Sequence, residues 1–158
     1  MLDRIFPEQF DNHYRGRKGA LWLFYPITFM NVAIDLVAIF ARDGGAKSAD
    51  AIPLDTFGPT AAAALVGVVA YLGLASLLLG LLAILALLRY RAMIPLMYLL
   101  IVMNDIGHKA IGLIKPIARI GAPSGGIVSL ALMALSLVGL VLAVSGKGYL
   151  ARAASARP

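Results

Sequence analysis

The stretch PTAAAALVGVVAYLGLASLLLGLLAILALL, residues 59–88, contains no charged side chain. A helix that crosses the hydrocarbon core of a bilayer needs about 20 apolar residues, so this stretch is long enough to span a membrane. Its start carries the dipeptide Gly58-Pro59, and proline at the first helical position is a common helix-start signal. The sequence therefore predicts a transmembrane helix over 59–88.

The composition of the whole chain agrees with this prediction. Of 158 residues, 61% are hydrophobic and 14% are charged, and the mean hydropathy is +0.88. Soluble domains are roughly half apolar and a quarter charged. Three further apolar segments occur at 20–41, 92–114 and 125–145, and the short turn at 89–91 forces two helices into a hairpin. We predict an all-α integral membrane protein, a four-helix up-down bundle over residues 20–145.

Lysine and arginine residues beside the helices predict the orientation. With a cytoplasmic N-terminus, nine of them lie on the cytoplasmic side: Arg4, Arg15, Arg17, Lys18, Arg89, Arg91, Lys147, Arg152 and Arg157. Four lie opposite: Arg42, Lys47, Lys115 and Arg119. This excess predicts that both termini are cytoplasmic. Residues 1–19 then form an interfacial segment on the membrane surface, and residues 146–158 form a polar cytoplasmic tail.

Several function classes have no support in the sequence. The absence of cysteine excludes thiol nucleophiles, disulfides and cysteine-ligated metals. No Walker loop, zinc-ligand spacing or serine elbow is present, so we predict no enzyme, no catalytic residue, no metal and no cofactor. The net charge of +6 comes from residues beside apolar segments, which is typical of contact with anionic lipid. The predicted partner is the lipid bilayer, and nucleic acid is not expected.

Four short stretches resemble a known group of sequences. They are FPEQFDNHYRG at 6–16, IPLDTFG at 52–58, LLRYRAMIPLM at 87–97 and KPIARIGA at 115–122. They are similar to those of a family of small, uncharacterised four-helix bacterial inner-membrane proteins. The resemblance covers most of the chain. It implies the four-helix architecture and a bacterial inner-membrane location, and it carries no activity.

Polar residues interrupt the third apolar segment in MNDIGHKAIG, residues 103–112. The first segment carries a polar stripe as well, because Tyr25, Thr28, Asn31 and Asp35 are spaced three, three and four apart. Burying a charge in hydrocarbon costs about 2.5 to 17 kcal/mol. The side chains on the two helices are therefore expected to find partners or to have a function. The predicted intramembrane polar cluster is Asn31, Asp35, Asn104, Asp105, His108 and Lys109.

Depth along the helices suggests which residues meet. In an up-down bundle the first and third helices run in the same direction, so equal distance from their ends means equal height. Asp35 and Lys109 are each six residues from those ends, and Asn31 and Asp105 are each ten. We predict an Asp35–Lys109 ion pair, an Asn31–Asp105 hydrogen bond, and His108 within reach of the ion pair.

This polar cluster has three interpretations. It serves as interhelical glue that sets helix register; or it forms a site for a proton, an ion or a small polar ligand, with a protonated Asp105 and His108 as relay; or Lys109 extends outward to the interface. Haem and quinone binding have weaker support. A haem held by two histidines would need a homodimer, because His108 is the one histidine within an apolar segment.

Small residues recur at helical spacing on two other segments. Gly73, Ser76 and Gly80 lie on the second segment, and Gly139 and Ala143 lie four apart on the fourth. Such spacing lets two helix backbones approach closely. We interpret the stripes as helix-packing surfaces within the bundle. The alternative is a surface for a homo-oligomer or a larger membrane protein complex.

Two functional hypotheses follow from these patterns. The first is a non-enzymatic accessory or scaffold component of an inner-membrane assembly, in which the polar cluster joins helices one and three. The second is a small proton-linked transporter or ligand-binding membrane protein that uses Asp105 and His108. The first predicts that Asp35→Asn combined with Lys109→Met is better tolerated than either change alone, and the second predicts that Asp105→Asn abolishes a proton or substrate flux.

Overall fold

The computed structural model describes residues 5–145 and is all-helical over that range. Four long helices are present: α1 (Lys18–Phe40), α2 (Pro59–Leu88), α3 (Ile94–Ile114) and α4 (Ser124–Val144). Two short 3-10 helices, Leu54–Thr56 and Arg91–Met93, precede α2 and α3. All four long helices are long and apolar enough to cross a membrane, which confirms that part of the prediction.

The helix boundaries follow local sequence signals. Helix α2 begins at Pro59, as expected, with Gly58 at the N-cap position. Helix α3 begins two residues later than predicted, because Arg91–Met93 forms a 3-10 turn. Pro95 then lies in the first turn of α3, where its missing N–H removes no intrahelical bond. The predicted tail, residues 146–158, lies outside the described residues.

Helices α1 and α2 pack most extensively against each other, and glycines allow their close approach. A Cβ at Gly73 would lie 2.7 Å from the Ala38 Cβ, and one at Gly80 would lie 2.8 Å from Val32 Cγ2. Residue numbers thus rise in opposite directions along the two helices. Helix α4 packs against both α1 and α3, while α1 and α3 contact each other little.

The apolar core is concentrated near the first turns of α1 and α3. Tyr98 is fully buried, its hydroxyl donates a hydrogen bond of 2.8 Å to the Ala20 carbonyl, and its ring meets Phe24 edge-on at 4.8 Å between centroids. The other buried members of this core come from all four helices: Ile27, Ala83, Ala86, Leu87, Ile94, Met97, Ile101 and Ala143. This end is where α1 and α3 touch directly.

The N-terminal segment before α1 packs against the same end of the molecule. Tyr14 lies against the apolar core, and the Asp11 carbonyl accepts a hydrogen bond of 3.2 Å from the backbone N–H of Ala92. Asp11 also forms an ion pair with Arg15. The segment is thereby joined to the turn between α2 and α3.

At the opposite end, the loop between α1 and α2 reaches the start of α4. The backbone N–H of Gly125 donates to the Ala49 carbonyl at 3.0 Å, and that of Ile120 donates to the Ala51 carbonyl at 2.8 Å. Gly44 and Gly45 turn the loop with positive φ angles of 60° and 82°, which glycine adopts without steric cost. The two long connections are therefore hydrogen-bonded to each other.

Asp43 organises this loop, and its titration is expected to report the loop's order. Its carboxylate accepts backbone hydrogen bonds from Ser48 at 2.7 Å and Gly45 at 3.1 Å, which lower the pKa of Asp43 from 3.8 to about 2. Because the folded pKa is depressed, the stabilisation is present above the unfolded pKa and is lost as pH falls through the folded one. We expect the amide proton resonances of Gly45 and Ser48 to titrate near pH 2 in an NMR experiment.

The neutral variant Asp43→Asn serves as the control for this titration. It is expected to abolish the pH dependence of the two amide resonances, because no charged carboxylate remains to titrate. A midpoint near 3.8, the ordinary value for the carboxyl, would show that the backbone hydrogen bonds do not hold Asp43 in its charged form.

Candidate functional site

A cavity of about 160 Å³ lies among the four helices, and all four contribute to its wall. It adjoins the apolar core, because Ala83 and Ile101 belong both to that core and to the cavity wall. Its polar wall consists of Thr28, Asn31, Asp35, Ser76, Asn104, Asp105, His108 and Ser129. Its apolar wall includes Ile34, Leu79, Ala83, Ile101 and Leu132.

Helix α1 presents its predicted polar stripe to this cavity. Thr28, Asn31 and Asp35 line it, spaced three and four apart on one helix face. Tyr25, which the sequence placed in the same stripe, is 42% exposed, and its ring lies 6.1 Å from that of Trp22 at a tilt of 46°. A Cβ at Gly80 would lie 3.8 Å from Asp35 Oδ2. The Asp35 carboxylate therefore lies beside the close contact of α1 with α2.

Helix α3 presents Asn104, Asp105 and His108, so five of the six predicted cluster residues line the cavity. Lys109 does not. At about 100° per residue, Asn104, His108 and Asp105 span about 100° of the helix surface, and Lys109 lies about 40° beyond Asp105, outside that arc. Lys109 is half-buried and acts electrostatically on Asp105, its neighbour one turn earlier.

The predicted Asp35–Lys109 ion pair is absent, which corrects the sequence interpretation. Within residues 5–145 the ion pairs are Arg15–Asp11 and Lys47–Asp55, and both lie outside the long helices. The depth argument placed Asp35 and Lys109 at matching heights but did not fix the direction in which each side chain points. Since α1 and α3 separate beyond the core, the cavity lies between them.

The predicted Asn31–Asp105 hydrogen bond is also not formed. The Asn31 side-chain amide donates instead to the Ile27 carbonyl of its own helix, at 3.0 Å. This bond uses one of the two side-chain N–H groups of Asn31 and leaves the other N–H as a donor and the side-chain oxygen as an acceptor. The polar residues of α1 and α3 thus share a cavity without bonding directly to each other.

The cavity wall also includes two serines, Ser76 and Ser129, neither of which the sequence analysis placed in the polar cluster. Ser76 of α2 was assigned to helix packing and lines the cavity. Ser129 of α4 was not singled out at all. A spacing signal does point to it, because Leu132, Ser136, Gly139 and Ala143 form the buried stripe of α4, and Ser129 continues that stripe by three residues.

The remaining small residues lie at helix contacts. Gly73 and Gly80 are buried where α2 meets α1, Gly139 lies directly against the Tyr98 ring, and Ala143 is fully buried in the apolar core. Close backbone approach at these positions follows from the missing or small side chains. These small residues thus contact neighbouring helices within the four-helix unit.

Two buried hydroxyls have no hydrogen-bond partner within the described part of the chain. They belong to Thr28, at the cavity wall, and to Ser136 of α4. Thr28 is 3% exposed and Ser136 is fully buried. A buried polar group without a partner costs about 1–3 kcal/mol, so each such group calls for an explanation such as a ligand or an ordered water.

Oxygen acceptors predominate among the polar groups around the cavity, which also include the His108 imidazole. Two carboxylates, hydroxyls and side-chain amides surround it. Among residues 5–145, no group of three or more His, Cys, Asp or Glu side chains is placed to hold a metal ion.

Comparison with family models, with curated proteins and with solved structures found no match to this chain.

Proposed function

We propose that this chain is a non-enzymatic multi-pass protein of the bacterial inner membrane whose polar cavity binds a small polar ligand within the bilayer. The single observation that carries the proposal is the cavity of about 160 Å³ lined by polar residues of all four helices. The four helices form an up-down bundle in this proposal, and both termini are cytoplasmic.

The apolar surface of the helices supports insertion into a bilayer. Helices of 21 to 30 residues span about 31 to 45 Å at 1.5 Å per residue, which matches or exceeds the hydrocarbon core. Their outward side chains are apolar and exposed, for example Leu78 at 59%, Leu113 at 85% and Ile127 at 70%. Contact of such apolar surfaces with lipid tails is favourable, whereas their exposure to water is unfavourable.

The contacts between helices support the up-down arrangement. Val32 lies against Gly80 and Ala38 against Gly73, so α1 and α2 run in opposite directions. Helix α4 starts beside the loop at Ala49 and reaches the apolar core at Ala143, so α4 is also antiparallel to α1. The excess of lysine and arginine on the N-terminal side supports cytoplasmic termini.

Binding explains the cavity better than register-setting does. Interhelical glue requires the polar side chains of α1 and α3 to satisfy each other, yet Asn31 bonds within its own helix and Asp35 has no ion-pair partner in the described chain. A ligand in the cavity would give hydrogen-bond or charge partners to the polar side chains of both α1 and α3. The accessory or scaffold role stays a prediction, since the outward helix faces are compatible with it.

Cysteine accessibility tests the proposal directly, since the chain has no cysteine of its own. We expect Ser76→Cys, in the cavity wall, to react with the small neutral reagent iodoacetamide at least tenfold faster than Leu78→Cys. The reason is that only a hydrated thiol ionises to the reactive thiolate. Leu78 is the matched control because it is two residues away on the same helix and faces outward.

The exposed loop residue Ser48 supplies the positive control and the orientation. Ser48→Cys is expected to react with a membrane-impermeant maleimide added outside intact cells after outer-membrane permeabilisation. Reaction only from the cytoplasmic side would reverse the proposed orientation. Equal, slow reaction of Ser76→Cys and Leu78→Cys would mean that the cavity is dry, and the ligand-binding proposal would fail.

A further inference from the structure

We propose that the ligand of this cavity is a small organic cation, an alkylammonium or guanidinium group with a short apolar body, held by the Asp35 carboxylate. This inference rests on the proposed function and specifies its ligand class. It follows from the charges around the cavity, from the balance of hydrogen-bond donors and acceptors, and from the size and lining of the space.

The charge argument concerns Asp35, which faces the cavity without a cationic neighbour in residues 5–145. No salt bridge involves it. Helices α2 and α4 carry no lysine, arginine or histidine, so the two helices packed against α1 supply no counter-ion. His108 and Lys109 of α3 act on Asp105, one turn from each on the same helix. A monovalent cation in the cavity would neutralise Asp35 where the protein does not.

The hydrogen-bond argument concerns what the wall offers. Ionised carboxylates accept and cannot donate, and one of the two side-chain N–H groups of Asn31 is already used by the Ile27 carbonyl. The Thr28 hydroxyl is a separate observation, since it is 97% buried at the wall and has no partner in the described structure. Asn104, His108 and the two serines of the wall add donors, but the lone pairs of the two carboxylates, the amides and the hydroxyls outnumber them. An ammonium or guanidinium group, which only donates, complements such a wall.

The size and lining of the cavity favour an organic cation over a bare metal ion. A cavity of about 150 Å³ accommodates a molecule the size of benzene, and this one measures about 160 Å³. Leu79, Ile101 and Leu132 give part of the wall an apolar surface, which suits a short alkyl chain. The described residues form no group suited to a metal ion.

The test uses the full chain with Ser76→Cys and measures how well added molecules protect the thiol from iodoacetamide. The probes are n-butylammonium, 1-butanol and butyrate, which have similar size and carry a positive, zero and negative charge. We expect n-butylammonium to slow labelling at least tenfold at saturation and the other two to have little effect. This comparison needs no variant at Asp35, so it stands even where such a variant fails to fold.

Substitution of Asp35 then tests whether its carboxylate is the group that binds the cation. Asp35→Asn in the same background is expected to raise the concentration of n-butylammonium that gives half-protection at least tenfold. Unchanged labelling without probe would show that the cavity is retained in this variant. Asp55→Asn is the matched control, since Asp55 lies in the exposed loop and forms an ion pair with Lys47, and its half-protection concentration is expected to equal that of the parent.

The outcomes separate this inference from the proposed function. Suppose Ser76→Cys is labelled rapidly and all three probes protect it equally, or no probe protects it. Either result would contradict the proposal of a cationic ligand while still supporting a hydrated cavity. Protection by n-butylammonium that Asp35→Asn leaves unchanged would also overturn the role of Asp35. Slow labelling without any probe would remove the binding site and the proposed function with it.

Discussion

Replacing Gly139 with alanine is expected to lower the free energy of unfolding by about 2–3 kcal/mol, measured by thermal or denaturant unfolding in detergent. The added methyl group would overlap the ring of Tyr98. That ring is fully buried, bonded through its hydroxyl to the Ala20 carbonyl and packed edge-on against Phe24. It has no direction in which to move without losing one of these contacts.

The magnitude combines three contributions of known scale. Overpacking a rigid site by one methyl costs about 1–3 kcal/mol, and a lost hydrogen bond adds about 1 kcal/mol. Alanine in a helix interior returns about 1 kcal/mol relative to glycine. Because Tyr98 is held on two sides, the upper part of the overpacking range applies to Gly139, and the net change is destabilising.

Two further variants separate the clash from a general effect of replacing glycine. Gly107 lies in α3 with nothing within 4 Å of an added Cβ, so Gly107→Ala is expected to match the parent or gain up to about 1 kcal/mol. In a Tyr98→Leu background, Gly139→Ala is expected to cost much less, since the ring is gone. Equal costs of Gly139→Ala with and without Tyr98 would contradict the proposed clash.

The sequence predicts the long helices well because their signals are local. An uncharged run that starts at Gly58-Pro59 gives α2 its observed limits, Pro59–Leu88. The start of α3 was less well predicted. Residues 91–93 fit a helical pattern by composition, but they form a short 3-10 helix before α3. Whether such a segment forms a 3-10 helix or an α-helix depends on its contacts with the rest of the chain, which residue composition does not reveal.

The sequence predicted most of the polar residues that line the candidate site, but it did not predict which of them interact with each other. Hydrophobic patterning identified Asn31 and Asp35 on one helix and Asp105 and His108 on another, and the structure places all four at one cavity. Depth matching also joined Asp35 to Lys109, and this was wrong. Residue spacing fixes height at 1.5 Å per residue, whereas the direction of a side chain depends on how each helix is rotated about its axis. That rotation follows from packing with α2 and α4.

Gly73→Ala tests that packing where α1 meets α2, and is expected to destabilise the chain by about 1–2 kcal/mol. The new Cβ would lie 2.7 Å from the Ala38 Cβ and 3.1 Å from the Asp35 carbonyl oxygen. Neither atom is the end of a flexible side chain, so the helices must separate. The gain in helix propensity offsets part of this cost. Gly67→Ala is the matched control, because it lies on α2 with nothing within 4 Å.

The same substitution also tests the link between helix packing and the cavity. Separating α1 from α2 moves the backbone that carries Asp35, so Gly73→Ala is expected to weaken protection of Ser76→Cys by n-butylammonium severalfold, while Gly67→Ala leaves it unchanged. A loss of stability with undiminished protection would mean that Asp35 keeps its place independently of this contact. The position of the carboxylate would then depend on the packing of α1 against α4, and the glycine would serve stability alone.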